Sequence, residues 1–239
     1  MTAAASMPGM SDPVPSPPLP PVILVHGFAS SSEHNWVRPG WRDALESRGH
    51  RVVLMDLPGH GGNARPGGGL AAVGQLTELA GSFPQVDLVG FSAGARVCAL
   101  AAAGGQVPVR RLILAGLGDS ALAGGDRGSD RAAMSLTGPL DEADIRGRLF
   151  RHMAASAGND PRALDAFLAA PAGNLTPEVL ARIAIPTLVI IGERDHLGPA
   201  DQLAASLPDS ELVTLPRIDH FATTGRLEAI MAALRFLAA

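Results

Sequence analysis

The chain has 239 residues, 46% hydrophobic and 18% charged, with a formal net charge of −4 at pH 7; that is ample apolar mass for the core of one enzyme-sized α/β domain. All 19 basic residues are arginines, scattered rather than clustered among aromatics, which excludes a nucleic-acid surface, and the lack of any lysine excludes a Walker-type phosphate loop and Schiff-base chemistry. A single cysteine, Cys98, leaves no internal disulfide and no cysteine-based zinc site, no apolar run reaches the about 18 residues of a membrane span, and the first 21 residues carry no basic start of a secretory signal, so a cytoplasmic location is expected.

Residues 1–21 hold five prolines between Pro13 and Pro20 and are expected to form a disordered tail, because such a segment can neither pair as a strand nor bury enough apolar surface. From Val22 the pattern changes. Val22-Ile23-Leu24-Val25 is wholly apolar, as in a strand buried on both faces, and ends at His26-Gly27-Phe28. Trp41 to Arg48 has helical spacing closed by Gly49, and Arg51 to Met55 predicts a second strand ending at Asp56-Leu57-Pro58-Gly59-His60-Gly61. A glycine-rich loop to Gly69 precedes a helix over Leu70 to Leu79. The apolar run Val86-Asp87-Leu88-Val89 then meets Gly90-Phe91-Ser92-Ala93-Gly94 and an alanine-rich helix to Ala103.

Arg110 to Ala115 predicts the next strand. After it the alternation breaks into a helical insert, with helices expected around Asp141 to Ala157, Pro161 to Ala170 and Pro177 to Ile183. Pro186 to Ile191 resumes the sheet and stops at Gly192-Glu193-Arg194-Asp195. A helix from Pro199 to Ser206, a strand Glu211 to Leu215, a loop with Asp219-His220-Phe221 and an amphipathic helix Arg226 to Leu237 complete the chain. Strand–helix alternation of this kind specifies a parallel sheet wrapped by helices.

Gly90-Phe91-Ser92-Ala93-Gly94 reads as strand, sharp turn and helix, the setting that projects a serine oxygen above a sheet edge. The pattern alone is weak, since a chain with 28 glycines supplies it by chance about one time in five. Its weight comes from the other strand ends, where functional groups of parallel sheets collect. These carry His26-Gly27-Phe28, Asp56, Ser92, Asp119, Asp195 and His220. A serine hydroxyl needs a base to take its proton, and a histidine serves best when a carboxylate fixes its tautomer. Ser92, Asp195 and His220 supply that set in chain order, and the backbone N–H groups of Phe28 and Ala93 are candidate donors to an oxyanion.

His26 is expected to brace the Phe28 loop rather than carry a proton. His34, Trp36, His60 and His152 either line a cavity or serve as packing and surface residues. No His, Asp or Glu group has metal-ligand spacing, and Cys98 is expected as a buried structural thiol. Gly116-Leu117-Gly118-Asp119-Ser120-Ala121 formally fits a dinucleotide fingerprint, but the following Gly124-Gly125-Asp126-Arg127-Gly128 cannot be the helix that fingerprint requires.

Taken together, His26-Gly27-Phe28, the Asp56 to Gly61 motif, the Gly90 to Gly94 motif, Gly192-Glu193-Arg194-Asp195 and His220-Phe221 resemble the α/β-hydrolase superfamily from about Val22 to the C-terminus. The resemblance implies an α/β-hydrolase fold with a core of 22–118 and 184–239 and a helical cap over 119–183. It also implies a triad of Ser92, Asp195 and His220, an oxyanion hole from the Phe28 and Ala93 amides, and no cofactor. Asp119, at the end of the preceding strand, is the alternative acid. Two departures stand out: the proline-rich start leaves no room for an initial antiparallel strand pair, giving a sheet of about six strands, and no serine follows Gly61 near Gly62 or Asn63. The expected activity is that of a serine hydrolase cleaving a small or medium, fairly apolar carboxylic ester through an acyl-enzyme. Thioesterase, lactonase, carbon–carbon hydrolase or cyclase chemistry on the same triad and non-catalytic ligand binding are the alternatives. The expected partner is a small molecule, with no metal.

Overall fold

A computed structural model describes residues 18–122, 136–138 and 144–239. The expected disordered tail lies outside the described residues up to position 17, as do 123–135 and 139–143 of the expected cap.

The described strands form one six-stranded sheet, entirely parallel, in the order β2-β1-β3-β4-β5-β6. They are β1 (Val22–Val25), β2 (Val52–Met55), β3 (Val86–Phe91), β4 (Val109–Ala115), β5 (Thr187–Gly192) and β6 (Ser210–Leu215). The expected six strands are thus present, each within two residues of its sequence-derived bounds. Between them run α1 (Trp41–Glu46), α2 (Gly69–Ala80), α3 (Ala93–Ala103), α4 (Ile145–Ser156), α5 (Pro161–Ala169), α6 (Pro177–Leu180) and α7 (Asp201–Ala205), and α8 (Leu227–Ala238) follows β6. A π-helical turn over Glu33–Val37 was not foreseen; five residues are too few to show a period.

Strand alternation sorts the core into two layers. Ile23 and Val25 of β1 face a cluster with Leu76, Val97, Cys98 and Leu203, while Val22 and Leu24 face Trp36, Trp41, Leu45, Ile230 and Leu237. Cys98 is fully buried, and burial pushes its thiol above the ordinary range, which removes the reactive thiolate. β1 lies between β2 and β3, so the connections after β1 and β3 leave toward opposite faces. That switch point opens a crevice at the carboxyl ends of these two strands.

One buried charge interrupts the apolar run of β3. Asp87 is fully buried, and Arg110 of β4 meets it with two hydrogen bonds, Nε to Oδ1 at 3.0 Å and Nη2 to Oδ2 at 2.7 Å. Arg110 Nη2 also donates to Leu237 O at 3.0 Å, which fastens the end of α8 to the sheet. Removing the arginine strands a carboxylate in the core. Arg110→Ala is therefore expected to lower the unfolding free energy by about 3 kcal/mol, and the double variant Asp87→Asn/Arg110→Ala to lose less than the single one; urea denaturation of both checks this, and a larger loss in the double variant contradicts it.

Candidate active site

The turn between β3 and α3 is built by close approach. A Cβ on Gly94 would sit 2.1 Å from Val25 O, and one on Gly90 would sit 2.5 Å from Ala95 Cα, so neither position accepts a side chain. Ser92 between them takes φ 53° and ψ −112°, a conformation that costs on the order of 1–3 kcal/mol for a residue with a Cβ. Two backbone bonds hold it there: Ser92 N–H donates to Ala115 O at 2.9 Å, and Arg96 N–H donates to Ser92 O at 3.1 Å.

His220, in the loop after β6, reaches this serine. Its Nε2 lies 3.0 Å from Ser92 Oγ, and its Nδ1 lies 2.8 and 3.1 Å from the two carboxylate oxygens of Asp195. An ionised carboxylate only accepts, so Nδ1 carries the proton and Nε2 is free to accept from the serine hydroxyl. Asp195 is buried at the end of β5 and also accepts from Leu197 N–H at 2.9 Å. The structure therefore brings Ser92, His220 and Asp195 into one hydrogen-bonded row. Asp119 is elsewhere: its carboxylate accepts from the N–H groups of Gln202 and Leu203 at 3.2 and 2.8 Å and so caps the start of α7. The segment Asp119–Ala121 is a 3₁₀ turn, not the helix a dinucleotide site needs.

Beside the serine lies the loop after β1. Gly27 N–H donates to Asn35 Oδ1 at 2.9 Å, Ala29 N–H to His60 Nε2 at 3.2 Å, Ser30 N–H to Gly27 O at 3.3 Å and Ser32 N–H to Asp56 Oδ1 at 2.8 Å. The Phe28 N–H between them meets no acceptor among the described residues, and neither does the Ala93 N–H at the first position of α3, where the helix dipole adds positive potential.

Three loops are locked by neutral histidines and a carboxylate. His26 Nδ1 donates to Gly27 O at 2.7 Å while its Nε2 accepts from Leu57 N–H at 3.0 Å. His60 repeats the pattern, with Nδ1 donating to Pro58 O at 2.8 Å. Burial lowers both imidazoles below their ordinary value, His60 to about 3. Burial would raise Asp56, but the N–H groups of Ser32 and Gly62 outweigh it and hold that carboxyl low. The Gly62 backbone thus binds Asp56 where the superfamily pattern has a serine nearby.

Of the residues left between cavity and packing, Trp36 is packed in the core against Trp41, His60 braces a loop, His152 is exposed, and His34 is half-buried with its Nε2 3.4 Å from Ser156 Oγ. The sequence did not reveal Asn35 or Asn159. Asn159, just past α4, is buried and joins two core loops, accepting from Gly61 N–H at 2.8 Å and donating to Ser30 O at 2.9 Å. Nothing local in Gly158-Asn159-Asp160-Pro161 signals this beyond a helix cap, and it is Asp160 that caps α5.

Aromatic rings pack beside the loops that carry Phe28 and His220. Phe28 packs against Phe150 of α4 at 5.7 Å and Phe167 of α5 at 6.0 Å; Phe150 also meets Phe221 at 5.7 Å, and Phe221 stacks on His196 at 5.8 Å. Asp195, His196 and His220 form the one group with metal-ligand spacing among the described residues, their nearest donor atoms within 4.8 Å, although two of its three members are already engaged with each other.

Over residues 22–233 the sequence matches the family model described as the alpha/beta hydrolase family. The chain belongs to the alpha/beta hydrolase family. This hydrolase is 30% identical over 247 residues to the pimeloyl-(acyl-carrier protein) methyl ester esterase of Xanthomonas campestris pv. campestris, covering 92% of this chain and 96% of that one. It is 29% identical over 244 residues to the 2-succinyl-6-hydroxy-2,4-cyclohexadiene-1-carboxylate synthase of Escherichia coli, covering 91% and 93%. Among solved structures, a hydrolase from Pseudomonas aeruginosa superposes with a TM-score of 0.68 at 26% identity, covering 92% of this chain and 91% of that one. The enol-lactonase from Burkholderia xenovorans, with a TM-score of 0.70, 20% identity and 92% coverage of each chain, shares the fold. No helix among the described residues is long and apolar enough to cross a membrane.

The buried neutral histidines make the hydrolase sensitive to acid. Because their folded values lie below 6.5, the unfolded chain takes up protons there that the folded one refuses, so their contribution to stability is full above pH 6.5 and drains away as pH falls toward about 3. His60→Asn removes one of the two groups. Its urea midpoint is expected to fall less steeply between pH 7 and 4 than that of the wild type, and equal slopes would refute the assignment.

Proposed function

We propose that the protein is a serine hydrolase that cleaves a small or medium, apolar carboxylic ester through an acyl-enzyme, with Ser92 as nucleophile, His220 as base and Asp195 as its orienting acid. The observation that carries this is the row Ser92 Oγ–His220 Nε2 at 3.0 Å and His220 Nδ1–Asp195 at 2.8 Å, beside two backbone N–H groups with no acceptor among the described residues. His220 Nε2 takes the hydroxyl proton as Ser92 Oγ bonds to the ester carbon, and Asp195 stabilises the imidazolium so formed. The Phe28 and Ala93 amides receive the oxyanion, a contribution of about 3 kcal/mol per donor in enzymes of this type. His220 then returns the proton to the leaving alcohol, and a water deprotonated by the same nitrogen attacks the acyl-enzyme, releasing the acid and restoring Ser92.

The rings of Phe28, Phe150 and Phe221 support an apolar substrate, as does the similarity to an esterase. Helices α4 to α6, between β4 and β5, are the proposed cap. Its division from the core at about 119 and 183 follows the break in strand–helix alternation. The protein's small-molecule substrate enters without a cofactor in this scheme.

Ser92→Ala is expected to reduce kcat on an activated p-nitrophenyl ester by about a million-fold and Asp195→Asn by about ten-thousand-fold, the second because an amide cannot hold the productive tautomer. A fluorophosphonate probe is expected to add its phosphonyl group to Ser92, read by peptide mass spectrometry. Full turnover by Ser92→Ala, or labelling elsewhere, sinks the reading.

A further inference from the structure

Gly27 is the tightest point of the loop after β1. A Cβ there would lie 2.8 Å from Phe91 Cδ1 and 3.4 Å from Ser92 Cβ, which leaves no room for a side chain unless the buried Phe91 ring shifts. Glycine fits, but it brings no torsional preference of its own. Rotation about the two Gly27 torsions swings the next peptide plane, which carries the Phe28 N–H, and a planar trans peptide turns as one unit. What aims that N–H must therefore come from outside the residue.

Two side chains supply it. His26 Nδ1 donates to Gly27 O at 2.7 Å and holds the carbonyl end of that plane, while Asn35 Oδ1 accepts from Gly27 N–H at 2.9 Å and holds the plane before it. With a plane fixed on each side of its Cα, Gly27 has no torsion left to turn. Asn35 belongs to the wide turn Glu33–Val37, closed by the bond from Arg38 N–H to Glu33 O at 2.9 Å, and π turns are rare and concentrate at functional sites. The turn is itself anchored. Asn35 N–H donates to Ser31 O at 3.0 Å, and the adjacent Trp36, fully buried, packs edge-on against Trp41 at 5.2 Å. Asn35 is 7% exposed, so water competes little for its oxygen.

We infer that Asn35 is a positioning residue of the oxyanion hole: by accepting the Gly27 N–H it fixes the torsions that aim the Phe28 N–H at the oxyanion formed on attack by Ser92. The inference rests on the serine-hydrolase reading above, in which the Phe28 amide is a donor. Asn35 touches no reacting atom. Its loss leaves Ser92, His220 and Asp195 in their row and loosens only the direction of one donor, so the effect falls on the transition state more than on the bound ester.

The test measures kcat and KM for p-nitrophenyl butyrate in wild type, Asn35→Leu and Asn35→Asp, with active sites counted by complete fluorophosphonate labelling of Ser92. Leucine keeps the branched shape and deletes the acceptor. That variant is expected to lose about thirtyfold in kcat per labelled site, with KM changed by no more than about threefold, since acylation and deacylation both pass through an oxyanion. The aspartate variant keeps an oxygen for the Gly27 N–H and is expected to recover most of the loss. A second readout uses an alkyl trifluoromethyl ketone: Ser92 Oγ bonds to its carbonyl carbon, the hydroxyl proton passes to His220, and the carbonyl oxygen becomes a standing oxyanion. Its inhibition constant is expected to rise in the leucine variant by about the factor lost from kcat/KM, whereas a packing role lowers the urea midpoint and leaves that constant alone. If the leucine variant does not fold, Asn35→Ala decides in its place. A leucine variant with kcat per site and ketone affinity both within about twofold of wild type, or an aspartate variant as impaired as the leucine one, overturns the inference. Absence of label on wild-type Ser92 refutes the nucleophile itself, whereas normal labelling with unchanged rates refutes only the role of Asn35.

Discussion

The contact on which the rest of the site depends is the one between the first turn of α3 and the last carbonyls of β1. Gly94 lies so close to Val25 O that no side chain fits between them. This forces the chain after β3 to turn within one residue, and the turn places the strain on Ser92. A serine on a relaxed loop would have several rotamers and backbone states to lose before it could be held in one place. Here that ordering cost is met during folding, by the sheet and by the apolar layers on either side of it. The same approach brings the Ala93 amide and the loop of Phe28 to the serine from two sides, because β1 and β3 are neighbours at the switch point of the sheet.

Three histidines around this contact share a tautomer and differ in what they hold. In His26, His60 and His220 the Nδ1 proton is donated, to Gly27 O, Pro58 O and Asp195 respectively, and Nε2 accepts. For His26 and His60 the accepted proton belongs to a backbone N–H, so the ring is a fixed strut and burial keeps it neutral. For His220 the partner is the Ser92 hydroxyl, and the acceptor behind it is a full carboxylate rather than a carbonyl. A carboxylate tolerates a protonated ring beside it and a carbonyl does so far less. The acceptor at Nδ1 thus sets His220, with a carboxylate behind it, apart from the two struts, which have carbonyls.

Much of this was legible in the sequence. Ser92, Asp195 and His220 stand at strand ends in an order that one mechanism demands, and the strands themselves are dense apolar runs bounded by glycine and proline. What was not legible depends on contacts made across the fold. Asp87 sits in an apolar run and would be an anomaly without Arg110, whose side chain reaches it from the next strand. Asn159 pairs with residues 98 and 129 positions away, distances at which no periodicity or spacing informs. His60 was visible as part of a motif, yet its task is set by Ala29, a residue with φ 59° whose N–H it accepts. With no serine after Gly61, Asp56 is still bound from this loop by the backbone N–H of Gly62, and a backbone donor leaves no trace in residue identity.

Asn159 also bears on how the site can open. It sits at the junction of α4 and α5, with one side-chain atom on the loop that carries Phe28 and another on the loop that follows Asp56. Lifting both helices away together would break these bonds and release the Phe28 loop in the same movement. The junction of the two helices is thus a tie rather than a free edge, one buried amide coupling it to both loops at once.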